Sequence, residues 1–278
     1  MAHRLPITVA IPARNDAVAL RICLKRLERF GRVVVLDSDS KDATRQVVED
    51  SGACYLQFHW NGRFPKKRNW FLRNHTPTTP WVLFLDADEL VDDAFCNELA
   101  ATLPTTTHSG FWLTYDNWFM GRRLRFGTPN RKLALFRVGA GEYERIDEDH
   151  WSDLDMEIHE HPVLTGTVGE IRARIEHRDD RGLAHWKRRH QSYAEWECQR
   201  ALKVIRSGEL PKVGRQAWKY RLITRRWLPV AYFLDTYIRR LGFLDGWAGL
   251  CYAWFKARYF ADVGRRIRAE LGKRPAAS

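Results

Sequence analysis

Cysteine is scarce in this chain and badly placed for a framework. The five residues Cys23, Cys54, Cys96, Cys198 and Cys251 are scattered, with no Cys-x-x-Cys pair. That argues against a disulfide-stapled scaffold and a zinc ribbon, and for reduced thiols in a cytosolic compartment. Long apolar runs are also missing: stretches such as Trp227 to Leu234 and Trp247 to Phe255 are too short to span a bilayer. The N-terminus enters a strand almost directly, without the pattern of a signal peptide. Residues 7 to 16 contain no glycine, so the glycine-rich phosphate loop expected at the start of a nucleotidyltransferase is absent. There are no recognisable repeats or low-complexity segments. Acids are the minority charge, 34 against 46 Lys and Arg, for a net +12. Such an excess suits an anionic partner: nucleic acid, an acidic membrane surface or a phosphorylated substrate.

What is present is organised around Trp81-Val82-Leu83-Phe84-Leu85-Asp86-Ala87-Asp88-Glu89. Five apolar residues after Pro80 read as a strand buried on both faces. The strand ends in three carboxylates, and the period of two places Asp86 and Asp88 on the same side of the backbone. Two such acids at the C-terminal edge of an open α/β sheet lie where ligands bind. They repel unless a cation lies between them, and hard oxygen ligands suit Mg²⁺ or Mn²⁺, which in turn bind diphosphate. A strand followed by a solvated acidic turn is the plain alternative.

The flanking pattern repeats the theme. Ile7 to Ile11 is a strand ended by Pro12, and Asn15 or Asp16 then caps a helix carrying Leu20, Cys23, Leu24, Leu27 and Phe30. Val33 to Leu36 is a second buried strand, stopping at Asp37-Ser38-Asp39-Ser40. A short helix with Val47 and Val48 inward follows, and Tyr55 to Phe58 makes an edge strand. Lys66-Lys67-Arg68-Asn69 opens a helix ending near Asn74. Strands alternating with helices predict βαβ units and a parallel sheet with right-handed crossovers. Cations at a helix N-terminus oppose its dipole, so the Lys66 to Arg68 cluster points to an anionic ligand.

Four motifs in order, Ile-Pro-Ala-Arg-Asn (11–15), Leu-Asp-Ser-Asp-Ser-Lys-Asp-Ala-Thr (36–44), Lys-Arg-Asn-Trp (67–70) and Leu-Asp-Ala-Asp-Glu (85–89), resemble the family 2 glycosyltransferases. The bacterial lipopolysaccharide-core and capsule branch is most similar, and the match is strongest over roughly the first hundred residues. The resemblance implies an α/β GT-A fold, a Rossmann-like mixed sheet flanked by helices. Pro12, Ala13 and Arg14 would line the nucleobase pocket, and Asp37 with Ser38 would read the base edge. Lys67 and Arg68 would approach the ribose-diphosphate region. Asp86 would lie near ribose or metal, Ala87 between the two acids, and Asp88 would be the main ligand of Mn²⁺ or Mg²⁺. Arg14 and Asp39 depart from the family pattern, which has an aromatic or small residue and a glycine there.

Downstream, Asp92 caps a helix with Phe95, Leu99 and Leu103, Phe111 to Phe119 is an aromatic strand, Met120-Gly121-Arg122 a hairpin turn, and Arg131 to Val138 another strand. The resemblance makes this antiparallel part the acceptor side. Tyr115, Trp118 and Arg122 would contact sugar or phosphate there, or pack in the core. Glu142 to Asp155 reads as a mobile acidic loop. Glu160, between His159 and His161 and before Pro162, is the expected catalytic base, because an inverting transferase needs a carboxylate to take the acceptor proton. Glu157 and Asp155 are its rivals. His177, which ends the strand Thr167 to His177 beside Asp179 and Asp180, resembles a third metal or diphosphate contact; a capping or packing role is the alternative.

A long amphipathic helix runs from Leu183 to about Ser207, and Ser207-Gly208-Glu209-Leu210-Pro211 marks a boundary. The expected organisation is a catalytic domain over 1–210, with a nucleotide-sugar half (1–104) and an acceptor half (105–210), and a helical, aromatic- and Arg-rich extension over 211–278. Helices rich in Trp, Tyr and Arg fit a membrane interface, or pack as a bundle or against a second copy. With the charge concentrated in the tail and no recognition motif, nucleic acid is not the expected partner. The sequence therefore predicts an inverting, metal-dependent glycosyltransferase. Its donor is expected to be a nucleotide-sugar, UDP-linked by family resemblance, and its acceptor a glycan or lipid-linked glycan at the inner face of the cytoplasmic membrane. A nucleotidyltransferase, or a basic nucleic-acid- or membrane-binding protein without catalysis, is the alternative.

Overall fold

The computed structural model describes residues 4–127, 130–146, 148, 152, 154–157, 160–179, 181–208 and 214–273, the side chains of 214–216 excepted. The chain forms two compact units, one of residues 1–117 and 130–178, the other of residues 118–129 and 179–278.

In the first unit, β1 (Leu5–Ala13), α1 (Ala17–Leu24), β2 (Phe30–Asp37), α2 (Thr44–Asp50) and β3 (Cys54–Gln57) lead to α3 (Lys67–Asn74) and β4 (Trp81–Phe84). The short β5 (Glu89–Leu90), α4 (Asp93–Thr102) and β6 (Gly110–Phe119) follow. At Met120 and Gly121, both at positive φ, the chain reverses into β7 (Arg122–Arg123), which pairs with the end of β6. The strands β8 (Asn130–Arg137), β9 (Gly141–Tyr143), β10 (Pro162–Leu164) and β11 (Val168–Arg178) complete the set among the described residues. The main sheet runs β3-β2-β1-β4-β8-β6-β11-β5, and β9 with β10 forms a separate ribbon.

The sheet is mixed, as the resemblance implies, with the parallel βαβ units forming its first half. β3, β2, β1 and β4 are parallel, whereas β8 enters antiparallel to β4 and to β6. Alternation sorts the core to two faces. Ile7, Val9, Ile11 and Leu83 pack with Leu20 and Cys23 of α1 and with Phe95 and Leu99 of α4. Ala10, Val34, Val82 and Phe84 pack with Phe71 of α3 and with Phe136 and Tyr143. Pro12 does not end β1, which continues to Ala13 opposite Leu36 and Asp37. Pairing of β1 with β4 stops at Ala10, so proline's missing N–H falls beyond that ladder. Asp92 caps α4 as expected, accepting from Phe95 N–H at 2.8 Å. Asp16 makes no side-chain cap on α1; Asp42, from the loop after β2, accepts from Ala17 N–H instead.

The second unit contains α5 (Gly182–Ser207), ended by Gly208 in the left-handed conformation, and α6 (Gly214–Leu222). It continues as α7 (Leu228–Leu234), a π-helical turn (Asp235–Arg239), a 3₁₀ turn (Gly242–Asp245) and α8 (Gly246–Gly272). Its core joins Ala194, Cys198 and Leu202 of α5 to Tyr220, Ile223, Val263 and Ile267. The boundary expected near 210 falls among residues outside the described set. The unit holding the C-terminal helices begins earlier, at Asp179, and takes in residues 118–129. Among the described residues no helix is long and apolar enough to cross a membrane.

Candidate active site

Parallel register brings the predicted motifs to one edge of the sheet. Ala13 lies opposite Asp37, and Ala10 opposite Phe84, two residues before Asp86. The loops after β1 and β2 are laced together: Asn15 N–H donates to Ser40 Oγ, and Lys41 N–H donates to Asn15 Oδ1, both at 2.7 Å. The buried Asp37 carboxylate accepts from Ser40 N–H at 3.0 Å and from the Tyr55 hydroxyl at 2.9 Å. Ser38 N–H donates to the Ala13 carbonyl at 3.1 Å. Arg14 is exposed at the end of β1. Asp39 has φ of 52°, the left-handed region in which glycine costs least, so its departure from the family glycine falls at a position of real backbone demand.

The two acids of Asp86-Ala87-Asp88 differ in surroundings. Asp86 Oδ1 accepts from Arg68 at 2.8 Å and Oδ2 from Lys132 at 2.8 Å. Lys132, on β8, also donates to Glu89. Burial alone would raise the Asp86 carboxyl, but Lys132 and then Arg68 outweigh it and hold it well below the usual carboxylate range. Burial pushes the Glu89 carboxyl up, against the pull of Lys132. Asp88 is 8% exposed and sits beside His177, with Nε2 3.5 Å from Oδ1. The other ring nitrogen of His177 meets Asn117 Oδ1 at 3.1 Å, which orients the imidazole. Asp86, expected near ribose or metal, is therefore engaged by two cations, while Asp88 and His177 come together as predicted ligands. Asp180, named with His177, lies outside the described residues.

The cations of α3 do find anions, and these are the chain's own. Glu157 Oε2 and Oε1 accept from the backbone N–H groups of Arg68 and Asn69 at 2.9 and 3.0 Å. This places a carboxylate on the helix N-terminus, where the dipole favours it. Lys67, 1% exposed, reaches Asp155 at 3.1 Å and the Ala13 carbonyl at 3.2 Å. Lys66 bridges Glu148 at 2.7 Å and Glu160 at 2.9 Å. The expected mobile acidic loop is, at Glu148 and Asp155, an ion-paired wall on α3, because three adjacent cations at a buried helix start need compensation. Glu157→Ala is expected to lower the unfolding free energy by about 2–4 kcal/mol, since two buried N–H groups lose a charged acceptor. Urea denaturation followed by circular dichroism measures it; an unchanged midpoint would rule out this capping role.

Glu160 is buried and lines a pocket with Trp60, Phe64, Lys66, Glu148 and Glu157. Asp86 and Asp88 are not among the residues lining that pocket. His159 lies outside the described residues. Tyr115 is fully buried, in keeping with the packing alternative. Sequence reasoning did not single out Lys132, Asn117 or Glu148. For Lys132 a signal existed: a lysine among the apolar residues of a predicted central strand.

Asp88 and His177 are the residues that would hold a divalent ion here. The carboxylate of Asp88, in the turn just before β5, and the imidazole of His177, on the neighbouring β11, are two donors, and among the described residues no set of three His, Cys, Asp or Glu gathers. A two-donor set fits an ion that takes its remaining ligands from phosphate oxygens and water.

A parallel nucleotide-binding half joined to an antiparallel half, with an Asp-x-Asp at the end of the central strand, defines the GT-A class of sugar transferases. The family model for glycosyl transferase family 2 matches residues 8–156, and the chain belongs to that family. It is a glycosyltransferase. It is 26% identical, over 92% of each chain, to the lipopolysaccharide core biosynthesis glycosyltransferase LpsC of Rhizobium meliloti (strain 1021). Among solved structures, the mannosyltransferase PcManGT from Pyrobaculum calidifontis, in complex with GDP-Man and Mn²⁺, is similar over 96% of this chain and 88% of that one. The TM-score is 0.50 at 16% identity, a likeness of fold. Glucosyl-3-phosphoglycerate synthase from Mycobacterium tuberculosis, in complex with Mn²⁺, UDP and glucosyl-3-phosphoglycerate, covers 41% of this chain and 44% of its own, at TM-score 0.31 and 22% identity. At that score it adds nothing to the fold assignment.

Proposed function

We propose that the protein transfers a sugar, with inversion, from a nucleotide-sugar to a glycan or lipid-linked acceptor in bacterial lipopolysaccharide or surface-polysaccharide synthesis. The observation that carries this reading is the Asp88–His177 pair beside Asp86 at the ligand edge of the sheet. The relative LpsC supports the lipopolysaccharide setting, and the GT-A neighbour was solved with a nucleotide-sugar and Mn²⁺. A UDP-sugar is the proposed donor, and the inner face of the cytoplasmic membrane the proposed location.

In this reading Pro12, Ala13 and Arg14 border the base, and Asp37 and Ser38 read its edge. Lys67, Arg68 and Lys132 supply positive charge toward the diphosphate, with Asp86 holding the last two in place. Asp88 and His177 would hold Mn²⁺ or Mg²⁺, manganese preferred because an imidazole nitrogen is a poor magnesium ligand. When bound, the ion neutralises charge developing on the departing diphosphate. Glu160 takes the proton of the acceptor hydroxyl, whose oxygen attacks the anomeric carbon as the nucleoside diphosphate leaves from the opposite side. Of the nearby acids, Glu157 has both oxygens on α3, Asp155 is paired with Lys67 and Glu160 is itself paired with Lys66 at 2.9 Å; Glu160 takes the role here by family resemblance. Glu160 lines a small pocket with Trp60 and Phe64.

A donor-hydrolysis screen across UDP- and GDP-sugars, with Mn²⁺, Mg²⁺ or chelator, tests the reading. Metal-dependent release of UDP from one donor is the expected result. Release from GDP-sugars alone would replace the base assignment, and no release from any donor would count against this account of the site.

A further inference from the structure

The second unit leaves apolar surface uncovered in an ordered pattern. None of the seven residues of α7, Leu-Pro-Val-Ala-Tyr-Phe-Leu, is buried. Trp227, Val230, Leu234 and Ile238 recur at intervals of three and four residues and so share one face of α7 and the π-turn. The connection to α8 continues the apolar surface with Leu241, Leu244 and Trp247. These seven side chains are between 44% and 68% exposed. They are not the side chains that hold the helix in place. Tyr232 packs on Phe260 at 4.2 Å, Phe233 on Tyr237 at 5.3 Å, and Thr236 is buried.

The charges beside this surface are of one sign. Arg225 and Arg226 are exposed just before it and Arg239 within it. The two acids of the stretch are occupied: Asp235 by Arg239 and Arg240, and Asp245 by the backbone N–H groups of Arg125 and Phe126 at 3.0 Å. We infer that the surface from Trp227 to Trp247 docks in the plane of an anionic bilayer. Its leucines, isoleucine and tryptophans enter the headgroup boundary, and Arg225 and Arg226 meet lipid phosphate. An exposed apolar helix face rimmed by arginine, with tryptophan at both ends, has the makeup of an interfacial helix. A second copy is the poorer occupant. A two-fold contact through this face would bring its own arginines together with few acids to receive them. The inference deepens the proposed membrane location, and rests on that reading.

The test is sedimentation of the full chain with phosphatidylcholine vesicles, with and without phosphatidylglycerol. Binding is expected to rise with phosphatidylglycerol and to fall with salt. The double variant Leu234→Glu, Ile238→Glu changes only exposed positions, so circular dichroism and donor hydrolysis should match the parent. Its partition coefficient is expected to fall by about tenfold or more, from lost apolar burial. Arg225→Gln is expected to cost about fivefold on anionic vesicles and to change nothing on neutral ones. Three results would overturn the inference. One is a parent chain that ignores anionic vesicles at low salt, and another is a double variant that binds as the parent does. The third is a parent dimer, dissociated by the two glutamates, that shows no vesicle binding; it would assign the face to a second copy. Because sedimentation needs neither donor nor acceptor, docking without sugar transfer would count only against the proposed reaction. Donor hydrolysis without docking would count only against this surface.

Discussion

Asp88→Asn is expected to lower donor hydrolysis and sugar transfer by about 10²- to 10³-fold, the usual scale for removing one electrostatic stabiliser of a leaving group. Nucleotide-sugar affinity should fall only in the presence of metal, so that the variant with Mn²⁺ binds as the parent does in chelator. Folding should be spared, because the Asp88 main-chain carbonyl receives Arg178 N–H at 2.8 Å and the amide side chain is nearly isosteric. Isothermal titration with and without chelator, beside a thermal melt, separates these effects. Asp86→Asn should behave differently: it removes the carboxylate shared by Arg68 and Lys132, leaving Lys132 with Glu89 alone, so its melting temperature falls while activity falls less than in the Asp88 variant. Full activity of the Asp88 variant, or of the parent in chelator, would remove the metal from the mechanism.

Glu160→Gln is expected to reduce transfer by about 10²- to 10⁴-fold, the range for losing a general base, with donor and metal binding retained. The amide fills the same space but cannot take the proton. Lys66 keeps an anionic partner in Glu148 at 2.7 Å, so the wall against α3 should hold. Separate measurement of turnover and donor affinity distinguishes the role: turnover should fall with donor affinity unchanged, whereas a structural defect would lower both. If transfer is unchanged, the base lies elsewhere, and Glu148, which shares Lys66 and the same pocket, becomes the next to test.

Much of the site was legible because its residues sit at strand ends. A buried strand announces itself by an unbroken apolar run, and parallel strands in one sheet must deliver their C-terminal residues to the same edge. Asp37, Asp86 and Asp88 could thus be placed near one another before any contact was seen. His177 was found by resemblance, and its pairing with Asp88 follows from the antiparallel register His177↔Glu89. Glu148 and Asp155, expected in a mobile acidic loop, were misread, since a run of carboxylates looks solvated until its partners are known. Their partners on α3 lie eighty or more residues earlier in the chain, as in Lys66–Glu148 and Lys67–Asp155.

The sequence by itself determined the order of the main strands and helices from β1 to β4 and on through α4 and β6, the mixed GT-A class through its four motifs, the cap of α4 by Asp92 and the turn at Met120-Gly121, all local choices of periodicity and backbone preference. Only the tertiary structure decided which charges meet. It gave Asp86 to Arg68 and Lys132, left Asp88 to His177, set Glu157 on the start of α3, and turned the Trp227–Trp247 surface outward. The physical reason is range: hydrophobic period and turn chemistry act over a few residues, whereas burying a charge requires a partner that the fold can bring from any distance along the chain.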